Sequence, residues 1–206
     1  DLHSFPTRRS SDLVLSTPIF PGEPIVRVRG PIIQAQLIET MVLLTINHQS
    51  LIATKTNRIC RAAQGRAILE FGTRRAQGFD AANYGARAAY IGGASATANT
   101  WADSRFGVPA NGTMAHAWVQ SFNSEFEAFV AYAKTYPDHC NLLVDTFSTL
   151  KSGIPNAIKV AKEILEPMGK RLVGIRLDSG DIAYLSKKAR RMLDEAGLQD
   201  CRIFQY

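Results

Sequence analysis

The chain has 206 residues, 46% of them hydrophobic and 20% charged, and carries a formal charge of +6. This balance supplies enough apolar mass for a folded core and excludes an intrinsically disordered chain. The longest apolar run, "MVLLTI" from Met41, is far shorter than the roughly 18 to 20 residues of a spanning helix, so a membrane protein is excluded too.

No charged-then-apolar leader opens the sequence, and a cytoplasmic location is expected. Cys60, Cys140 and Cys201 form no C-x-x-C pair, which points to reduced core thiols rather than a zinc site or a disulfide framework. The positive charge invites an anionic partner, but its densest cluster, "KKARR" from Lys187 to Arg191, falls in a helical pattern where such residues form a solvated face. No nucleic-acid partner is therefore expected.

In chain order, residues 1–13, "DLHSFPTRRSSDL", do not fit the rest of the chain. They reverse-translate onto a common sequencing-adaptor oligonucleotide, so we expect a non-native segment and remove His3, Arg8 and Arg9 from functional reasoning. Both natural ends are expected to be missing, because "CRIFQY" stops inside an apparent strand. After the turn "FPGEP", the alternation of Ile25 to Gly30 predicts a short strand, and Pro31 opens a long helix to about Ala63. Residues 14–66 are thus expected to form part of a smaller N-terminal subdomain with its linking helices.

From residue 67 the rhythm changes. "AILEFG" (Ala67 to Gly72), "NLLVDT" (Asn141 to Thr146), "RLVGIRL" (Arg171 to Leu177) and "RIFQY" predict strands covered on both faces, with helices between them. Ser124 and Glu127 form a capping box, and Ser152 with Pro155 marks another helix start. The expectation for residues 67–206 is a parallel α/β sheet or barrel. Four such strands cannot close a barrel of eight and should leave open edges.

The unusual chemistry lies just behind the strands. "EFGTRRAQG", "VDT" and "RLDSGD" would all lie on the carboxyl-end face, where parallel α/β proteins bind ligands. Arg74, Arg75 and Arg176 with Asp145 and Asp178 suit a phosphorylated, polyhydroxylated ligand, since guanidinium forks grip phosphate and carboxylates accept from sugar hydroxyls. The bland alternative pairs Arg176 with Asp178 or Asp145 and lets Asp178 or Ser179 cap the helix beginning near Asp181. Of the histidines, His116 in "NGTMAHAWVQ" is the catalytic candidate, whereas His48 sits among apolar helix positions and His139 comes after "YPD" in a loop. No second histidine stands at metal spacing.

Together "FGTRRAQGFDAA", "YIGG", "NGTMAHAWVQSF", "LVDTFSTLKSGIPNAI" and "GIRLDSGDIAYLSKKAR" resemble nicotinate phosphoribosyltransferase, in order and across residues 18–200. The resemblance implies an irregular TIM-like α/β barrel with a smaller N-terminal subdomain, working as a homodimer. It implies phosphoribosyl transfer from 5-phosphoribosyl 1-diphosphate (PRPP) to nicotinate in NAD salvage, with Mg2+ as cofactor and ATP as co-substrate. By the same resemblance Phe71 stacks the pyridine ring, Arg74 and Arg75 contact anionic groups, and Asp145 lies near the ribose or metal. Arg176, Asp178, Ser179 and Gly180 take the phosphoribosyl moiety, and His116 is the histidine that ATP phosphorylates.

The related nicotinamide enzyme presents an Asp in the stretch matching "GGASATANT", which would accept amide hydrogens and repel a carboxylate. Here Ala96, Thr97, Ala98 and Asn99 stand where the nicotinate family reads G-T-S-N, so the acid is the expected substrate. Thr97 and Ala98 are placed at the pocket, although Ala98 lacks the hydroxyl of the family pattern. The family's N-terminal aromatic and its later glycine-rich phosphate loop are not in the sequence, so these residues alone are expected to be inactive. A nicotinamide or quinolinate phosphoribosyltransferase, and an inactive truncated fragment, stand as alternatives.

Overall fold

The computed structural model describes residues 18–205, and the segment 1–13 expected to be non-native lies outside the described residues. The chain divides into two compact units, the first ending at Gly112 and the second beginning at Thr113.

The first unit opens with an extended segment. Ile25 to Gly30 is not a strand, which corrects the sequence expectation: alternation provides the side-chain pattern, but no strand among the described residues pairs with it to complete the backbone hydrogen bonds. Pro31 then precedes helix α1 (Ile32–Ala62), none of whose residues is fully buried. A groove of about 640 Å³, lined by Ile19, Val26, Val28 and Leu43 among others, runs beside α1 and contains none of the chemistry-bearing residues.

The chain continues through β1 (Leu69–Glu70), α2 (Phe79–Ile91), β2 (Ala96–Thr97) and α3 (Thr100–Phe106). Strand β1 pairs parallel with β2, Leu69 opposite Ala96 and Glu70 opposite Thr97. Helix α2 buries Gly85, Ala86, Ala88 and Ala89, small side chains that let α1 come close. A Cβ on Gly92 would stand 2.5 Å from the Ala53 carbonyl oxygen, and one on Gly85 would stand 3.6 Å from the His48 ring. His48 is therefore a helix-packing residue. Asn99 caps α3, its side chain accepting from the Trp101 and Ala102 amides while donating to Asn83 at 2.9 Å.

The second unit comprises α4 (His116–Gln120), α5 (Glu125–Thr135), β3 (Asn141–Leu143), α6 (Ile154–Val160), β4 (Gly174–Leu177), α7 (Ile182–Glu195) and β5 (Arg202–Gln205). Its three strands are parallel, in the order β3-β4-β5. All four residues of β4 are buried, as continuous apolarity covered on both faces requires. Phe129, Leu142, Leu143, Val144, Ile175, Leu177 and Leu193 form the heart of one core.

Ser124 caps α5 as predicted, accepting from the Glu127 amide at 3.2 Å. Ser152 does not cap α6. A π-turn, Thr149–Gly153, precedes that helix, and the Ser152 hydroxyl donates to the Glu125 carboxyl group instead, a bond that holds the side chain away from the first amides of α6. The same carboxylate accepts from Asn156 at 2.9 Å. Gly153 is required there because a Cβ would collide with the Val144 carbonyl.

The basic cluster on α7 has structural duties. Arg190 donates to the carbonyls of Cys201 and Leu198 at 2.6 and 2.7 Å, tying the helix to the turn before β5, and Arg191 pairs with Glu195. Burial pushes the Cys140 and Cys201 thiols up to about 12, in keeping with reduced core cysteines. No helix among the described residues is long and apolar enough to cross a membrane.

Candidate active site

Parallel strands end on one side of their sheet, so residues just past β3 and β4 are neighbours by topology. Asp145 lies just past β3. Its Oδ2 accepts from the Asp178 amide at 2.8 Å and from the Ser179 hydroxyl at 2.7 Å, locking the end of one strand to the turn after the next. Its Oδ1 is buried and has no hydrogen-bond partner among the described residues. A buried polar oxygen without a donor costs stability, and such groups mark places where a ligand can complete the set.

Arg176 is the second anchor. It is 8% exposed, pairs with Asp178 Oδ2 at 2.9 Å, and donates to Thr113 Oγ1 at 2.9 Å and the Met114 carbonyl at 3.3 Å. The guanidinium thus ties β4 to the segment that delivers His116 at the first turn of α4. The His116 ring stands with Nε2 3.4 Å from Asp178 Oδ2 and 3.9 Å from Asp145 Oδ1, and with Nδ1 3.1 Å from Thr146 Oγ1. Its side chain is 38% exposed, open to a ligand on one side and held on the other.

Half of the bland reading holds, since Arg176 does pair with Asp178. The other half does not: Asp181 caps α7 by accepting from the Tyr184 amide at 2.9 Å, leaving Asp178 and Ser179 without that duty. Gly180 turns the chain between them with φ of +82°, a left-handed geometry that suits glycine.

The remaining predicted residues belong to the first unit, at the carboxyl ends of β1 and β2. Phe71 is half-buried, Arg74 and Arg75 lie exposed in the next 3₁₀ turn, and Arg75 donates to the Phe71 carbonyl at 3.3 Å. Thr97 is fully buried, and its hydroxyl is engaged: it donates to Glu70 at 2.7 Å and accepts from the Asn99 amide at 3.0 Å. Ala98 is exposed, its amide donating to the Glu70 carbonyl at 2.9 Å. Thr97 therefore braces the strand end while Ala98 faces outward. His139 is exposed in a 3₁₀ turn before β3.

Thr146, Thr113 and Glu125 were not singled out by sequence reasoning. Thr146 and Thr113 lie inside the stretches "VDT" and "NGTMAHAWVQ", whereas Glu125 becomes visible only when chain segments far apart in sequence meet.

His116, flanked by two carboxylates and near a buried guanidinium, stands at the carboxyl ends of parallel strands, the place where open α/β sheets bind ligands. The model of the Nicotinate phosphoribosyltransferase (NAPRTase) family matches residues 67–201. The chain belongs to the nicotinate phosphoribosyltransferase family. It is similar to the nicotinate phosphoribosyltransferase of Bacillus subtilis, 57% identical over 187 residues that cover 90% of this chain and 37% of that protein. The nicotinate phosphoribosyltransferase of Dictyostelium discoideum is 40% identical over 221 residues, covering 88% and 37%. Among solved structures, human nicotinic acid phosphoribosyltransferase superposes with a TM-score of 0.84 at 31% identity, covering 91% of this chain and 48% of that one. The nicotinate-nucleotide pyrophosphorylase of Pyrococcus furiosus superposes at 0.66 and 28%, covering 77% and 40%. The chain thus spans less than half the length of each of these proteins.

Proposed function

We propose that the protein to which this chain belongs transfers the phosphoribosyl group of PRPP to nicotinate, releasing diphosphate, and does so in NAD salvage. The observation that carries the reading is the cluster of His116, Asp145, Arg176, Asp178 and Ser179 within hydrogen-bonding reach at the ends of β3 and β4. Family membership supplies the reaction, and the cluster supplies groups suited to it. Loss of diphosphate builds positive charge on the ribose, so the protein's task is to orient the sugar and stabilise an oxocarbenium-like state. In this reading Asp145 Oδ1 and Asp178 accept from ribose hydroxyls, and Arg176 holds Asp178 in place while drawing phosphate oxygens toward the strand end.

His116 accepts the phosphoryl group of ATP, coupling hydrolysis to PRPP binding. By family resemblance, Phe71, Arg74, Arg75 and Ala98 of the first unit are assigned to nicotinate, in a stretch without the Asp that would select an amide. Among the described residues no group of three His, Cys, Asp or Glu side chains converges to hold a metal ion. Mg2+ would therefore come with the diphosphate oxygens, which supply most of such an ion's shell, and we assign it no protein ligand. The parallel strands would belong to an irregular barrel preceded by a smaller subdomain over residues 14–66, in a cytoplasmic homodimer.

The test is diphosphate release by the full-length parent protein with PRPP and Mg2+, comparing nicotinate with nicotinamide, with and without ATP. Turnover of nicotinate, stimulated by ATP and with the stimulation abolished in His116→Ala, supports the reading. Preference for nicotinamide, or turnover of neither, overturns it.

A further inference from the structure

We propose that Thr146 is a positioning residue that fixes His116 as the Nε2–H tautomer and aims that nitrogen at the two carboxylates. A neutral imidazole offers one donor and one acceptor, and an ionised carboxylate only accepts. Nε2 faces Asp178 Oδ2 at 3.4 Å and Asp145 Oδ1 at 3.9 Å, so a lone pair there would point at negative charge with nothing to bond. The proton therefore belongs on Nε2 and the lone pair on Nδ1. Thr146 Oγ1, 3.1 Å from Nδ1, is then the donor, and its rotatable hydroxyl can supply that hydrogen.

The backbone makes the arrangement rigid. Thr146 is bonded directly to Asp145, and Asp145 is clamped by the Asp178 amide and the Ser179 hydroxyl, so the hydroxyl on Nδ1 and the carboxylates on Nε2 are borne by two strand ends locked to each other. Arg176 holds Thr113 and Met114, just before His116, and so limits where the ring can go.

The consequence for chemistry rests on the proposed role of His116 as the phosphorylated histidine. The lone pair able to attack the γ-phosphorus is then the one on Nδ1, freed as the Thr146 hydroxyl rotates away; as it forms the P–N bond, the bond from the γ-phosphorus to the bridging oxygen breaks and ADP leaves with that electron pair, while the Nε2 proton of the resulting imidazolium is held by Asp178.

The positioning itself can be tested without turnover, by long-range ¹H–¹⁵N correlation of the histidine rings in the 206-residue chain, with His116 assigned through His116→Gln. The expected result is a single Nε2–H tautomer in the native sequence and in Thr146→Ser. In Thr146→Val the balance should move about two- to tenfold toward Nδ1–H, the range one neutral hydrogen bond of about 0.5–1.5 kcal/mol represents. Thr146→Ala serves where valine disturbs the fold, as judged from the amide spectrum. An Nδ1–H tautomer in the native chain, or an unchanged balance in folded Thr146→Val and Thr146→Ala, overturns the proposal. A parent protein that makes no nicotinate mononucleotide while His116 stays Nε2–H would overturn the catalytic reading and leave the positioning standing.

Discussion

The two units of this chain use a similar content of apolar residues in opposite ways. In the second, Phe129, Leu142, Leu143, Ile175 and Leu193 are wholly inaccessible and surround a central parallel strand. In the first, the 31-residue helix α1 has no fully buried residue, and Leu37, Met41 and Leu44 remain 77%, 70% and 68% exposed. The difference teaches that composition sets how much apolar surface exists, while stability depends on whether partners are present to cover it. The proposed site cluster belongs to the well-packed unit, where buried polar groups can be held in place by a rigid frame.

A matched pair of glycine substitutions tests that contrast most severely. Both Gly153 and Gly92 leave no room for a Cβ because a backbone carbonyl lies against them, Val144 for the first and Ala53 for the second. Gly153→Ala must displace the strand end that carries Asp145. It should cost upwards of about 3 kcal/mol and lower the Tm by about 10 °C or prevent folding. Gly92→Ala has only to push back α1, which buries little, and should change the cooperative Tm by about 3 °C or less. Equal effects in thermal unfolding would erase the distinction.

Truncations in the two units should differ next. Phe129→Ala removes a ring from the packed core and should destabilise by about 3–5 kcal/mol in denaturant titration. Leu44→Ser on α1 should leave stability within about 0.5 kcal/mol and improve solubility, because it removes exposed apolar surface. A loss of stability at Leu44 comparable with that at Phe129 would show that α1 is covered after all.

The smallest effect concerns the thiols. Cys140 and Cys201 sit at about 12, above the ordinary thiol value of 9.0, because burial opposes the thiolate. The unfolded chain therefore loses these protons first as pH rises. Their contribution is intact below pH 9.0 and declines as pH climbs toward about 12. Half-buried Cys60 should be alkylated first at pH 8, and Cys140 and Cys201 only after unfolding, as a mass-resolved labelling time course would show.

The α/β alternation from residue 67, the long helix after Pro31 and the carboxyl-end location of Asp145, Arg176, Asp178 and Ser179 were legible because each leaves a local mark: apolar period, breaker residue, or charge directly behind a strand. The extended segment at Ile25 was misread because a strand is a relation between two segments and the pattern shows only one. The diversion of Ser152 to Glu125 was hidden for the same reason, since the competing carboxylate comes from a helix 27 positions away in sequence. Thr97 shows the converse. A hydroxyl expected at a ligand is occupied by Glu70 and Asn99, partners that spacing could not have named.

The most direct test of the central claim, that the strand ends of the second unit form a phosphoribosyl diphosphate site, is an amide chemical-shift titration of the 206-residue chain with PRPP and Mg2+. Saturable shifts centred on Asp145, Thr146 and the Arg176–Gly180 turn, lost in Asp178→Asn, are the predicted result. Shifts confined to the basic face at Lys187–Arg191, or no saturable shift in a folded chain, would contradict it.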